Sequence, residues 1–118
     1  MTINEIIERA DAREPNNIPQ EDKIGWIEAL DQELYATVIL RHEGFEDIPA
    51  PEGVRVEPLV KAPWDEMYIH YIQAQIDYAL GDIQRYNNAN GMYERVRTQW
   101  ANYWNRTHLA IQPKVVYL

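Results

Sequence analysis

Few side chains in this sequence have the chemistry of a metal or acid–base site, and three of them share a telling spacing. Glu66 precedes His70 by four residues and Asp77 follows it by seven, so one helix face would carry carboxylate, imidazole and carboxylate. Such a face could seat a divalent metal with two or three ligands. A single histidine on a single helix is nevertheless a weak donor set, and a hydrogen-bonded structural histidine accounts for the same residues. His42 and His108 fall at expected helix C-termini, where an imidazole can meet the last free carbonyls. Composition closes the other routes. With no cysteine there is no thiolate zinc site, disulfide or thiol nucleophile, and with no serine there is no serine-centred elbow. Neither a glycine-rich phosphate loop nor a paired-histidine motif occurs. The expectation is a protein that is not an enzyme, with no catalytic residue, no metal ligand and no cofactor.

Arginines interleaved with aromatic residues in RYNNANGMYERVRTQWANYWNR could stack on bases or neutralise phosphates. The net charge of -8 argues against it, because binding by counterion release needs a clustered basic face. The charge is also uneven: residues 1–62 hold 14 acidic and 6 basic side chains, whereas residues 63–118 hold 5 of each. One acidic end and one mildly basic end can steer head-to-tail contacts between copies in a ring, or simply solvate the chain.

At 118 residues a single domain with its own core is expected. The opening residues MTINEIIERADARE contain no apolar run, so neither a secretory signal nor a membrane span is expected, and Asn105-Arg106-Thr107 matches a glycosylation acceptor by chance. Thr2 with Glu5 has the capping-box spacing, and Pro15 ends that first helix near Arg13. A second helix starts around Pro19 and runs to about His42, its buried line formed by Ile24, Ile27, Leu30, Leu34 and Val38, with Glu28, Asp31 and Glu33 away from that line. Residues 43–62 lose the helical period, gain three prolines and two glycines, and read as a long irregular connection along the outside of the body. Pro63 opens a third helix, apolar almost all round through Met67, Tyr68, Tyr71, Ile72, Ile76, Tyr78 and Ala79. After a break at Gly81 and Asp82, the longest helix runs from Ile83 to about Thr107.

In that last helix Tyr86, Tyr93 and Trp100 recur every seven residues, as do Ala89, Val96 and Tyr103. The seam of Tyr86, Tyr93, Val96, Trp100 and Tyr103 packs either on the chain's own helices or on a neighbouring copy. The fold class is mainly α: a small bundle of about four helices spanning residues 1–108, with an extended tail over residues 109–118. The tail is too apolar for a loose end. Pro113 keeps it extended, and Ile111, Val115 and Tyr117 would face one way with Val116 and Leu118 the other. These residues are the expected partner contact, by addition to a strand edge or insertion into a groove.

The block LVKAPWDEMYIHYIQAQIDYALGDIQRYNNANGMYERVRTQWANYWNRTH resembles small proteins of the structural cluster of tailed bacteriophages. Those proteins share an opening Pro-(Tyr/Trp)-Asp-Glu-(Leu/Met)-Tyr-Ile-His-Tyr, a QIDY segment, a RYNN element and a closing NRTH. Here the matches are Pro63 to Tyr71, Gln75 to Tyr78, Arg85 to Asn88 and Asn105 to His108, close to half the chain. The resemblance implies a head-to-tail connector of the neck adaptor class, located in the virion neck after assembly in the host cytoplasm. It implies a homo-oligomeric ring, usually of twelve copies, beneath the portal protein, extending the DNA channel toward a stopper or tail-completion protein. DNA would pass through without specific binding, helped by an acidic lumen, and a C-terminal segment would grip the portal. The alternatives are a neighbouring neck or tail-completion role and a small helical DNA-binding regulator.

Overall fold

Two carboxylate caps and a glycine corner set the helix boundaries. In the computed structural model, which describes residues 1–111, α1 (Ile3–Arg13) begins where Thr2 and Glu5 cap each other, the Glu5 N–H donating to Thr2 Oγ1 at 3.1 Å and the Thr2 N–H to Glu5 Oε1 at 3.3 Å. α2 (Gln20–Thr37) starts after Pro19 and tightens past Val38 into a 3-10 turn, Ile39–Arg41, so the helical path reaches its expected end in a different geometry. A second 3-10 turn, Phe45–Asp47, follows. α3 (Glu66–Leu80) starts three residues later than Pro63, which with Trp64 and Asp65 forms a turn before it. Gly81, at φ 77, ends α3 in the left-handed conformation that suits glycine, and the Asp82 N–H returns to Asp77 O at 3.0 Å. Asp82 then caps α4 (Ile83–Thr107), accepting from the Arg85 N–H at 3.1 Å.

α3 is the central element. It packs against α1 on one side and against α4 on the other, while the backbones of α1 and α4 do not approach each other. That position buries Met67, Tyr68, Ile69, Ile72, Ala74, Ile76 and Asp77, together with Ile6, Ile7, Ile27, Leu30, Leu34, Tyr93 and Trp100 of the other helices. Burial does not extend all round α3, however. Tyr78, Ala79 and Leu80 are exposed, on a side of the last turn of α3 that no other described helix covers. Ile24 and Val38 of the expected α2 line are only half-buried. Lys23, by contrast, is buried and donates to Asp11 Oδ1 at 2.7 Å, tying α2 to α1.

The connection between Arg41 and Glu66 is not an outer loop. Pro51, Pro58 and Val60 are buried in it, and no strand forms among the described residues. What draws it in is Asp31, fully buried although the helical periodicity sets it away from the apolar line. Asp31 Oδ1 accepts from the Tyr68 hydroxyl at 2.5 Å, and Oδ2 accepts from Arg55 Nη2 at 2.9 Å and the Leu59 N–H at 3.0 Å. The Tyr68 oxygen accepts in turn from the Val60 N–H at 2.9 Å. Burial and the adjacent carboxylate push the Tyr68 phenol well above its ordinary range, so it remains a donor. A buried carboxylate is tolerable only when paired and hydrogen-bonded, and here its three donors, on Arg55, Leu59 and Tyr68, lie 24 to 37 residues along the chain. The N-terminal side is joined to the same connection by the Ile3 N–H donating to Val56 O at 2.8 Å, and the Met1 ammonium meets Asp65 at 2.7 Å.

Asp31→Ala leaves the Arg55 guanidinium, the Tyr68 hydroxyl and the Leu59 amide without their acceptor. A loss of about 3–5 kcal/mol is expected for it, and about 1–3 kcal/mol for Tyr68→Phe, from urea unfolding with an unchanged slope. Losses under about 1 kcal/mol in both variants would mean that the connection is held elsewhere.

Candidate partner-binding surface

The α4 seam turns inward. Tyr93 and Trp100 are buried, and Tyr86, Val96 and Tyr103 are half-buried. Their aromatic partners lie on the same chain: Tyr93 meets Tyr71 with ring centroids 5.0 Å apart, Tyr86 meets Tyr78 at 5.6 Å, and Tyr103 meets Trp64 at 4.3 Å. Trp100 continues to Trp104 at 5.8 Å, and Trp104 stacks on His108 at 3.9 Å and 7°. Tilted pairs at these separations add attraction beyond the area they bury. The seam thus packs on the chain's own α3 and on the turn that precedes it. Tyr93 also accepts from Arg97 at 2.8 Å, and burial raises its phenol to about 12.

Arg97 is committed too. Its guanidinium forks onto Glu33 of α2, at 2.7 Å from Oε1 and 3.1 Å from Oε2, which ties α2 to α4 and raises its already high pKa further. One of the four arginines that might have faced phosphates is therefore neutralised within the fold. The Glu66, His70 and Asp77 constellation does not assemble either. Among the described residues no three histidine, aspartate or glutamate side chains come together as a metal site. Asp77 turns into the core, Glu66 is exposed, and His70 is half-buried, its pKa lowered first by burial and then by the charge of Arg13.

The start of the tail is fixed to its own domain. His42 and Ala110 form an antiparallel bridge, flanked by the Glu43 N–H donating to Leu109 O at 2.7 Å and the Ile111 N–H donating to Arg41 O at 2.9 Å. Beneath it the His42 imidazole, itself buried, lies 2.6 Å from Val38 O and 2.6 Å from Asn105 Oδ1, clamping the end of α2 to the end of α4. His42 thus meets a carbonyl of the preceding turn as its position suggested, whereas His108 stacks on Trp104 instead. A cleft of about 530 Å³ opens beside this joint, lined by Leu40, Arg41, Ala101, Asn105 and Ile111 among others. Ile111 is exposed; Pro113, Val115, Val116, Tyr117 and Leu118 lie outside the described residues.

Large apolar side chains remain uncovered at both ends of the α3–α4 hairpin. At the turn, Tyr78, Leu80 and Ile83 are 66 %, 63 % and 59 % exposed; at the other end stand Leu40, Leu109 and Ile111. Exposed apolar side chains grouped at one end of a fold are candidates for an interaction surface. The turn cluster went unnoticed in the sequence because Tyr78 and Leu80 continue the apolar pattern of a buried helix. No local signal distinguishes it, because exposure there is set by how the helices assemble.

His42→Ala should loosen the joint. The amides of Glu43 and Ile111 are then expected to exchange hydrogen about tenfold faster or more, while those around Ile72 in α3 keep their protection. Equal protection in both proteins would show that the bridge stands without the clamp. Comparison of the chain with protein-family models, curated proteins and solved structures finds no match.

Proposed function

We propose that this protein is a structural adaptor of a tailed-bacteriophage neck, forming a ring of copies under the portal and continuing the DNA channel toward a stopper or tail-completion protein. The observation that supports the reading is the pair of exposed apolar clusters at opposite ends of one hairpin among the described residues, since a subunit held between two neighbours needs two such surfaces. At 1.5 Å per residue the 25 residues of α4 separate them by about 35 Å. The block resembling the phage proteins coincides with this hairpin, from Pro63 through α3 and α4 to His108. The turn cluster suits a neighbouring subunit, and the joint at Ile111 suits a tail that continues away from the domain to the portal.

Electrostatics support a channel role over DNA recognition. Glu21, Asp22, Glu43, Glu46, Asp47 and Glu52 are exposed and outside every ion pair among the described residues, so acidic side chains are available to line a lumen along which DNA slides without sticking. No helix of the described residues is long and apolar enough to cross a membrane.

Removal of residues 112–118 should leave the helical circular dichroism unchanged and abolish capture by purified portal rings, whereas Leu80→Asp with Ile83→Asp should keep the fold and prevent ring formation in negative-stain images. Retention of both activities by both variants would overturn the adaptor reading.

A further inference from the structure

Two carboxyl groups meet where α1 ends. Glu14 is the C-terminal cap of α1, and Asp77, 1 % exposed, lies in the last turn of α3. Glu14 Oε2 and Asp77 Oδ2 are both sealed from solvent, and no donor among the described residues reaches either. Two ionised carboxylates in that position would repel each other and leave two buried acceptors orphaned. One proton removes both faults, because a protonated carboxyl becomes a donor to its neighbour. The surrounding charges do not supply an alternative. Arg85, in the first turn of α4, attracts Glu14, but Asp82, the α4 cap, adds negative charge beside it. His70 and Gln73 of α3 line the same cleft with Arg85, Asn88 and Met92 of α4, and Arg13 of α1 faces His70.

We propose that Glu14 is protonated in the folded protein and donates that proton in a hydrogen bond to Asp77, and that its loss releases the end of α1 from the α3–α4 hairpin. The pair is a latch independent of the adaptor reading. Burial first, then the hydrogen bond to Asp77 and the charge of Asp77, raise the Glu14 carboxyl from 4.5 to about 7. A carboxyl raised on folding means that the folded state binds more protons than the unfolded one between those values. Its stabilisation is complete below the lower value and is lost as pH rises through the upper one. Above that range the second charge on Glu14 repels Asp77 and is drawn to Arg85, so the latch opens within the neutral range.

Carboxyl carbon NMR of the full chain tests this directly. Glu14 should titrate near neutrality, and Asp77→Asn, whose amide donates to an ionised Glu14, should return it to the ordinary carboxylate range. Thermal or urea unfolding supplies the second arm. Between about pH 5 and pH 7 the folded-to-unfolded ratio of the wild type should fall by up to about tenfold per pH unit relative to Glu14→Gln, which carries its own permanent donor. Titration of Glu14 near its ordinary value in the wild type, or parallel pH profiles for wild type and Glu14→Gln, would overturn the proposal.

Discussion

The buried carboxylate of Asp31 is the constraint on which the rest of this fold depends. It sits on α2, receives the hydroxyl of Tyr68 from α3, and gathers Arg55 and the Leu59 amide from the long connection between them. A connection rich in proline and glycine has no regular ladder of its own with which to satisfy its backbone. Asp31 and Tyr68 supply two of the missing partners at the depth where Pro58 and Val60 enter the core. Once they are made, the turn at Trp64 is delivered onto Tyr103, and α3 is aligned between α1 and α4. An apolar residue at position 31 would bury as well, but it would not specify which part of the connection lies against α2.

A second polar principle recurs in this structure: each outer helix is tied to its neighbour by one charged pair with at least one buried or half-buried member. Lys23 with Asp11 joins α2 to α1, and Glu33 with Arg97 joins α2 to α4. Apolar packing alone allows helices to slide by a turn at little cost, whereas a buried ion must find its partner. The net negative charge of the chain is thus partly internal, and what is left at the surface is concentrated in α2 and the connection.

Local chemistry made much of the fold legible in the sequence. The Thr2–Glu5 cap, the stop before Pro15, the corner at Gly81 and Asp82 and the full span of α4 are all written within a few residues of where they act. The sevenfold recurrence of Tyr86, Tyr93 and Trp100 located a packing seam in the same way. Residues whose environment is made by distant segments were not legible. Asp31 reads as a solvated face residue because Arg55 and Tyr68 are far along the chain, and Asp77 reads only as a face-mate of His70 because nothing local announces Glu14. The exposure of Tyr78, Leu80 and Ile83 is a property of the assembled bundle. For the tail, the expectation and the description overlap only over residues 109–111.

The joint at His42 also has a mechanical meaning. Any pull on the chain beyond Ile111 reaches the domain first through two backbone hydrogen bonds, at Arg41 and Glu43, and through the imidazole beneath them. Those contacts sit where α2 and α4 both end, so tension divides between two helices instead of peeling the last turn of one. The core around Ile72 and the apolar turn at the far end of the hairpin stay off that path. A domain built this way can be held by its C-terminal end without strain on the exposed turn at Tyr78, Leu80 and Ile83.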